Sequence, residues 1–522
     1  MLVSAGGQSA SPPMLPRIDY RVGFPEDPGV GPPGFGSGAL PGGAMSEIPS
    51  KGEPTGVNGG IGRAELAPLE EPPVLVARPR IGVVLAAGRS ERLSRITGGG
   101  SKALVRLGGL SLVERAVRTL LNAGLQQVLV VVGHHAGPVV AVVNRLAPGK
   151  VRAVYADDWE AGNGASLAAA ATLVSEEQFF VVVTADHVFA EGALDALVRA
   201  GEPAVLIDQA PERDAWDEGT RVRLSGGRAV AFDKGLQEQA IDCGAFVFPA
   251  GIFEAQRRAA AAGDPSLSGA VTRFAADHPL AVVLLPAGSW WQDVDTPEDL
   301  GLARIRLRRL LIKEADGPVS RYLNRPISSS ISMAVAPLRL SPDLVSVIAF
   351  LFGVVAAGLL ATGYGIAGGV LVHLASVLDG CDGEVARLQL RASPRGALLD
   401  GVLDRAADAA ILAGLGLWAN GDTSHPGLAL GLAVAATFGA MLSMASKDRI
   451  ALLGLTPAPE RALGWLLGGR DGRLLLITIG ALFGRPMLTL GVVAATSMLS
   501  LLLRVYLVRR LVRTPASPGR PV

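Results

Sequence analysis

The sequence predicts two folds in tandem: an α/β domain on a mixed, largely parallel sheet, then an all-α domain of six transmembrane helices. Three observations carry this. From Ile81, apolar runs of strand length alternate with helical patterns; beyond Ser341 the apolar runs reach membrane-spanning length. Charged residues also cluster before about Ser320, leaving a C-terminal region dominated by Leu, Ala, Val and Gly. A chain of 522 residues has room for two or three domains. The net charge of +1 provides no basic footprint, which disfavours nucleic acid as a partner. The two cysteines, Cys243 and Cys381, lie in different segments and support neither a disulfide framework nor a thiolate metal site.

Residues 1–79 are dense in Gly, Pro and Ser without hydrophobic periodicity, and disorder is expected there. The segment lacks the charged start and apolar core of a signal peptide, and Met45 is an alternative start. The expected limits that follow are 80–312 for the α/β domain, 313–514 for the membrane domain and 515–522 for a disordered tail.

In the α/β domain, IGVVLAA, SLVERAVRTLLNAG, VLVVVG and FFVVVTAD alternate strand and helix, so helices should cover both sheet faces. Ligands of such sheets bind at the C-terminal strand ends. There, VVLAAGRSERLSRITGGGSKAL places a small-residue turn after a strand, followed by Arg92 and Lys102. Such a turn lets backbone N–H groups at Leu85, Ala86, Ala87 and Gly88 approach phosphates while the two cations neutralise them. An ordinary strand-to-helix loop would look similar. After Thr296, LARIRLRRLLIKEA is a basic amphipathic stretch, expected to lie along the membrane surface as a connector.

The six apolar runs are Leu344–Thr362, Ile366–Leu378, Ala397–Ala419, Leu428–Ala445, Leu474–Gly484 and Leu488–Leu503. The fifth is short for a span, and Gly464–Gly468 with the following RDGR are expected to lengthen it. Arg321, Arg325, Arg339, Arg391, Arg395, Lys447, Arg449, Arg470, Arg509 and Arg510 fall on one side, whereas the intervening GYG and NGDTSHPG carry no Lys or Arg. The positive-inside rule then puts both ends, the soluble domain and the sites in the cytoplasm of a multi-pass protein of the cell membrane.

Within LDGCDGEVARLQLRASPRGALLDGVLDRAADAA, Asp379 and Asp382 lie one turn apart at the end of one run, and Asp400 and Asp404 lie four apart at the start of the next. Each pair shares a helix face, so the pairs can converge. A lone carboxylate in a membrane costs roughly 2.5–3.5 kcal/mol, hence about 10–14 kcal/mol for four unpaired ones. A hard divalent cation such as Mg²⁺ would offset that cost. The competing explanation is headgroup-level pairing with Arg387, Arg391, Arg395 and Arg405. Gly383 and Gly396 favour a site, because a bulky side chain there would keep the helices, or a bound diphosphate, apart. Asp408 continues the face and is expected to be solvated or salt-bridged.

This segment resembles the CDP-alcohol phosphotransferases, whose motif D-x2-D-G-x2-A-R-x8-G-x3-D-x3-D is matched at Asp379, Asp382, Gly383, Ala386, Arg387, Gly396, Asp400 and Asp404. The resemblance implies that the four aspartates are metal ligands, that Gly383 and Arg387 contact the nucleotide, and that Asp404 is the general base. The α/β domain resembles the MobA-like nucleotidyltransferases, with a Rossmann-like mixed sheet and the signature L-A-A-G-x-G-x-R-L…P-K, from which Ser90 and Ser101 depart. GNGASL with Gly164, TADH with Asp186, IDCG and WQDVDTPEDL with Asp295 follow in the family's order. That resemblance implies metal at Asp186 and Asp295, nucleotide contacts from Gly164, and Lys102 as a catalytic cation assisted by Arg92. Lys234 is open between a sugar-phosphate contact and a solvated lysine. His187 reads as a satisfied histidine, and Trp290 and Trp291 as core or edge aromatics.

The fusion of these domains resembles the bifunctional inositol-1-phosphate cytidylyltransferase and di-myo-inositol phosphate phosphate synthase family over nearly all of Arg80–Arg513. The resemblance implies CTP and inositol-1-phosphate as substrates, CDP-inositol as the intermediate, Mg²⁺ or Mn²⁺ in both sites, and a homodimer through the membrane domain. Lys447 and Arg449 are candidates for the acceptor's phosphate. A second reading keeps the chemistry but transfers a CDP-polyol to a lipid acceptor. A third, a transporter with a nucleotide-sensing domain, is disfavoured because no span carries mid-membrane charge.

Overall fold

The computed structural model describes residues 78–513 apart from 90–91, 175–176, 314–315, 453–462, 464 and 466. The expectations for residues 1–77, Met45, Ser90 and the tail beyond residue 513 fall outside these residues. Strand β1 (Ile81–Ala86) is buried along its whole length. Val84 and Ala86 point into one core, and Ile81, Val83 and Leu85 into the other. A strand covered on both faces needs no polar side, which is why it reads as an unbroken apolar run. The other strands of this nine-stranded sheet are β2 (Gln127–Val132), β3 (Val151–Tyr155), β4 (Phe180–Thr184), β5 (Ala204–Asp208), β6 (Arg221–Ser225), β7 (Arg228–Asp233), β8 (Ile241–Phe248) and β9 (Leu280–Leu284). Their spatial order is β3-β2-β1-β4-β8-β5-β9-β7-β6. The half from β3 to β4 is parallel, whereas β8 runs antiparallel to both β4 and β5, giving the expected mixed sheet.

Helix α1 (Leu112–Asn122) starts at a capping box: the Glu114 N–H donates to Ser111 Oγ at 3.3 Å, and the Ser111 N–H donates to Glu114 Oε2 at 2.8 Å. Helix α2 (Pro297–Leu310) starts the same way on Thr296 and Asp299. Its apolar stripe, Leu300, Ala303 and Leu307, is buried in protein rather than turned to a membrane, and it joins Leu107, Leu112, Ala336 and Leu388 in one cluster. That cluster draws on both halves of the chain, and the described residues belong to one compact unit. The connector was expected at the membrane surface because a stripe spaced three and four apart looks the same whichever apolar surface it meets.

After α3 (Arg325–Val335), each of the six apolar runs forms a helix: α4 (Pro342–Ala361), α5 (Gly365–Leu388), α6 (Pro394–Gly421), α7 (Pro426–Leu452), α8 (Arg470–Leu482) and α9 (Pro486–Arg513). Ser341 and Ser393 cap α4 and α6, each ahead of a proline at the first helical position, so both starts are written in the sequence. Helices α4, α5, α7 and α9 are long and apolar enough to cross a membrane. Helix α6 carries Arg395, Asp400, Asp404, Arg405 and Asp408 between its start and its middle, and α8 has 13 residues. Gly468 lies outside α8, whereas RDGR forms its first turn. Close packing fixes α4 on α6, since a Cβ on Gly414 would stand 2.2 Å from the Ala357 carbonyl oxygen. Leu351, Val355, Leu417, Leu430, Phe438 and Leu502 remain exposed, as an apolar surface for lipid would be.

Candidate active sites

The first site gathers where β1 and β4 end. Lys102, nearly buried, places Nζ 2.7 Å from Asp186 Oδ2 and also pairs with Asp295 Oδ1. Asp295 is held by its N–H donating to Asp299 Oδ2 at 3.1 Å, an extension of the α2 capping box. Exposed Arg92 lies 3.6 Å from both Asp295 and Glu218. Beside them a two-stranded ribbon pairs His187–Phe189 with Trp291–Asp293 and sets Asp293 opposite His187. His187 Nδ1 lies 2.9 Å from Asp186 Oδ1 and 2.5 Å from Thr184 Oγ1, and its ring stacks on Trp291 at 5.3 Å. Gly244, at φ 69°, lets the backbone pass: a Cβ there would meet the His187 ring at 2.8 Å.

Asp186, His187 and Asp293 offer ligand atoms within 4.8 Å of one another, and Asp293 Oδ1 is buried without a hydrogen-bond partner among the described residues. An orphaned carboxylate oxygen beside two further donors fits a divalent cation. Burial works against every charge here, and the neighbours decide the outcome. It pushes Asp293 up to about 7, with Asp186 adding to the effect. Against burial, Lys102 and His187 hold the Asp186 carboxyl well below the usual carboxylate range. Also against burial, Asp293 and Asp186 push His187 up to about 9, and Asp186, Asp293 and Asp295 raise Lys102. Next to this group lies a cavity of about 530 Å³ lined by Asp217, Lys234, Asp242, Trp291, Gln292 and Asp293, room for a small polyol phosphate.

The second site is made by α5, α6 and α8. Carboxylate oxygens of Asp379, Asp400 and Asp404 lie within 4.8 Å of one another. Arg470 Nη1 pairs with Asp379, its Nη2 lies 3.0 Å from Asp404, and its Nε lies 3.1 Å from Asp408. A guanidinium thus supplies positive charge where the acids converge. Asp408, fully buried, also pairs with Arg473 at 3.2 Å, so of its two expected states it is the salt-bridged one. Asp382 faces the adjoining cavity of about 580 Å³ with Asp400, Gly383, Arg387 and Gly396, and accepts a hydrogen bond from Ser346. Three convergent carboxylates fit a hard cation of the kind Asp379 to Asp404 were expected to hold.

Of the sequence candidates, Lys102, Asp186 and Asp295 are brought together, with Arg92 at the rim. Leu85 and Ala86 complete β1, while Ala87 and Gly88 begin the loop. Gly164 is packed against backbone, 2.4 Å separating a built Cβ from the Pro265 carbonyl oxygen. Lys234 is exposed on the first cavity. His187 is satisfied as read, but by Asp186 of the site. Gly383 and Gly396 meet no neighbouring helix backbone and line the cavity instead. Lys447 and Arg449 are exposed near the end of α7, away from that lining. Asp293 was missed although it stands in the quoted WQDVD, because its neighbour His187 lies more than a hundred residues away in the chain. Arg470 was read only as a topology charge; its role depends on α8 packing against α5.

A family model described as MobA-like NTP transferase domain matches residues 82–286, and one described as CDP-alcohol phosphatidyltransferase matches residues 339–463. A Rubrobacter xylanophilus protein named "Bifunctional IPC transferase and DIPP synthase" is 39% identical over 406 residues, 77% of this chain and 90% of that one. An Aquifex aeolicus protein of the same name is 32% identical over 441 residues, 82% of this chain and 97% of that one. A phosphatidylinositol phosphate synthase of Mycobacteroides abscessus is 31% identical over 39% of this chain and 90% of its own. Among solved structures, the inositol-1-phosphate CTP transferase from T. maritima aligns with 44% of this chain and 97% of its own at 22% identity, with a TM-score of 0.39.

Proposed function

The chain belongs to the bifunctional IPC transferase and DIPP synthase family, and we propose that its two sites act in sequence on one polyol phosphate. It is a nucleotidyltransferase and CDP-alcohol phosphotransferase enzyme. In the first reaction an oxygen of inositol-1-phosphate bonds to the α-phosphorus of CTP, the bond to the β-phosphate breaks, and CDP-inositol and diphosphate form. In the second, a hydroxyl of another inositol-1-phosphate bonds to the β-phosphorus of CDP-inositol, CMP leaves, and di-myo-inositol phosphate phosphate forms. The observation that carries this reading is the presence, in one compact unit, of both the Lys102 group and the Asp379–Asp404 group.

In each site a divalent cation, Mg²⁺ or Mn²⁺, would neutralise phosphate oxygens when bound, held by Asp186 with Asp293 and Asp295 in the first and by Asp379, Asp382, Asp400 and Asp404 in the second. Lys102 stabilises charge developing between the α-phosphate and the leaving diphosphate, and Arg92 assists from the rim. The turn from Leu85 to Gly88, with Gly164, receives the nucleotide. In the second site Asp404 takes the proton of the attacking hydroxyl. Gly383 and Arg387 receive the CDP group, and Lys447 and Arg449 hold the acceptor's phosphate. The helices α4 to α9 make six spans with both ends and both sites cytoplasmic, in the cell membrane, and the domain limits are 80–312 and 313–514. The protomers pair through the membrane domain.

Membranes supplied with CTP, Mg²⁺ and inositol-1-phosphate test this by phosphorus NMR. CDP-inositol followed by a water-soluble phosphodiester is expected. A chloroform-extractable product would instead support a lipid acceptor, a reading favoured by the match to phosphatidylinositol phosphate synthase over the membrane half.

A further inference from the structure

Helix α5 carries Asp379, Asp382, Gly383 and Arg387, and it ends against the soluble domain. The last carbonyls of a helix have no intrahelical donors. Here the donors come from α1: Arg115 Nη2 donates to the Leu388 carbonyl at 2.7 Å, Arg118 Nη1 to Gln389 at 2.6 Å and Asn122 Nδ2 to Leu390 at 3.3 Å. Residues 115, 118 and 122 are spaced three and four apart, so they share one face of α1. Buried Arg115 is anchored in turn by its Nε on the Leu107 carbonyl at 2.9 Å, and Glu114 pairs with Arg339 at 2.7 Å. A helix of the soluble domain thus fixes the end of the helix that bears half of the second site.

The cavity beside Asp382 and Asp400 is closed by the same junction, since its lining includes Asn122 of α1 and Lys313 of the connector. Lys313 has a defined position: its N–H donates to Asp316 Oδ2 at 2.8 Å, and its carbonyl accepts from Asp316 N at 3.1 Å and from Arg321 Nη2 at 3.4 Å. Its ammonium makes no hydrogen bond or ion pair among the described residues. Arg387 is steered towards it by donating from Nη2 to the Leu311 carbonyl at 3.2 Å, and Arg387 Nε is buried without a partner. Lys313 is an exposed residue of this lining. The pocket therefore holds more cationic donors than the protein itself satisfies, which is what a bound diphosphate would correct.

We infer that Lys313 binds the diphosphate of the CDP-alcohol together with Arg387, and that the soluble domain, through Asn122 and the α1 clamp, forms one wall of the phosphotransferase site. This rests on the reading that the aspartate cluster transfers from a CDP-alcohol.

The test uses the full chain supplied directly with CDP-inositol and inositol-1-phosphate. Lys313→Ala should raise KM for CDP-inositol about tenfold, as expected for loss of a charge-assisted hydrogen bond, with kcat changed less than about threefold. Lys313→Arg should restore most of the loss, and the CTP-dependent reaction of the same preparation should not change. Arg118→Ala, which removes the hydrogen bond to the Gln389 carbonyl, should also raise that KM while leaving KM for inositol-1-phosphate in place. An unaltered KM in Lys313→Ala would overturn the inference. A wild-type enzyme inert towards CDP-inositol would instead overturn the proposed donor. Acylation of Lys313 with and without CDP and Mg²⁺, mapped by mass spectrometry, would still decide: protection by CDP upholds the role of Lys313, and equal labelling removes it.

Discussion

The proposed roles of Lys102 and Asp404 divide the chemistry between two places, so single substitutions should separate the reactions. Lys102→Ala should abolish CDP-inositol formation and leave transfer from supplied CDP-inositol intact. Asp404→Asn should do the reverse, and loss of both activities in either variant would contradict independent sites. His187 adds a pH signature. Its folded pKa of about 9 lies above its ordinary 6.5, so the charged form is favoured by folding. That stability is fully present below pH 6.5 and is lost as pH rises through 9. In chelator, the thermal midpoint of the wild type should therefore fall more steeply than that of His187→Gln between those pH values; parallel curves would refute the assignment. At this scale the sequence was most legible where spacing alone fixes neighbours, as for Asp400 and Asp404 on one helix face. It was least legible where neighbours meet across folds of the chain. Asp293 meets His187 through a three-residue ribbon, and Lys313 faces Arg387 only because α2 brings the connector back onto α5.

Helix ends decide where the active carboxylates stand. The α1 capping box orients Glu114 towards Arg339 as well as satisfying Ser111, so Ser111→Ala should cost about 1 kcal/mol or more of stability, read as a lowered thermal midpoint. Three helices, α5, α6 and α8, converge on Arg470. Removing one partner from a buried charge cluster costs roughly 3–5 kcal/mol. Arg470→Met should accordingly melt earlier than the wild type in chelator, and excess Mg²⁺ should recover most of the difference. A variant as stable as the wild type without metal would show that the guanidinium is not a counterion. The starts of α4 and α6 could be read from Ser-Pro at their caps, and the strand character of β1 from its unbroken apolar run. The orientation of α2 could not, because its stripe is equally suited to a protein core and a lipid surface.

The described residues place the α/β domain and the helical domain in a single unit, and the proposed arrangement across the bilayer is open to chemical labelling. Cys243 and Cys381 are buried, so introduced cysteines can be read against a quiet background. Tyr364→Cys and Ser424→Cys should react with an impermeant maleimide from outside intact cells, and Ala392→Cys should react only after permeabilisation; the opposite pattern would reverse the proposed topology. The Arg470 cluster has a consequence for how the protein is made and kept. Because a resident guanidinium already offsets part of the acids' charge, the helices can leave the insertion machinery and assemble before any cation arrives. Cells starved of magnesium or manganese should then contain normal amounts of an idle enzyme, ready to resume synthesis on resupply without new translation.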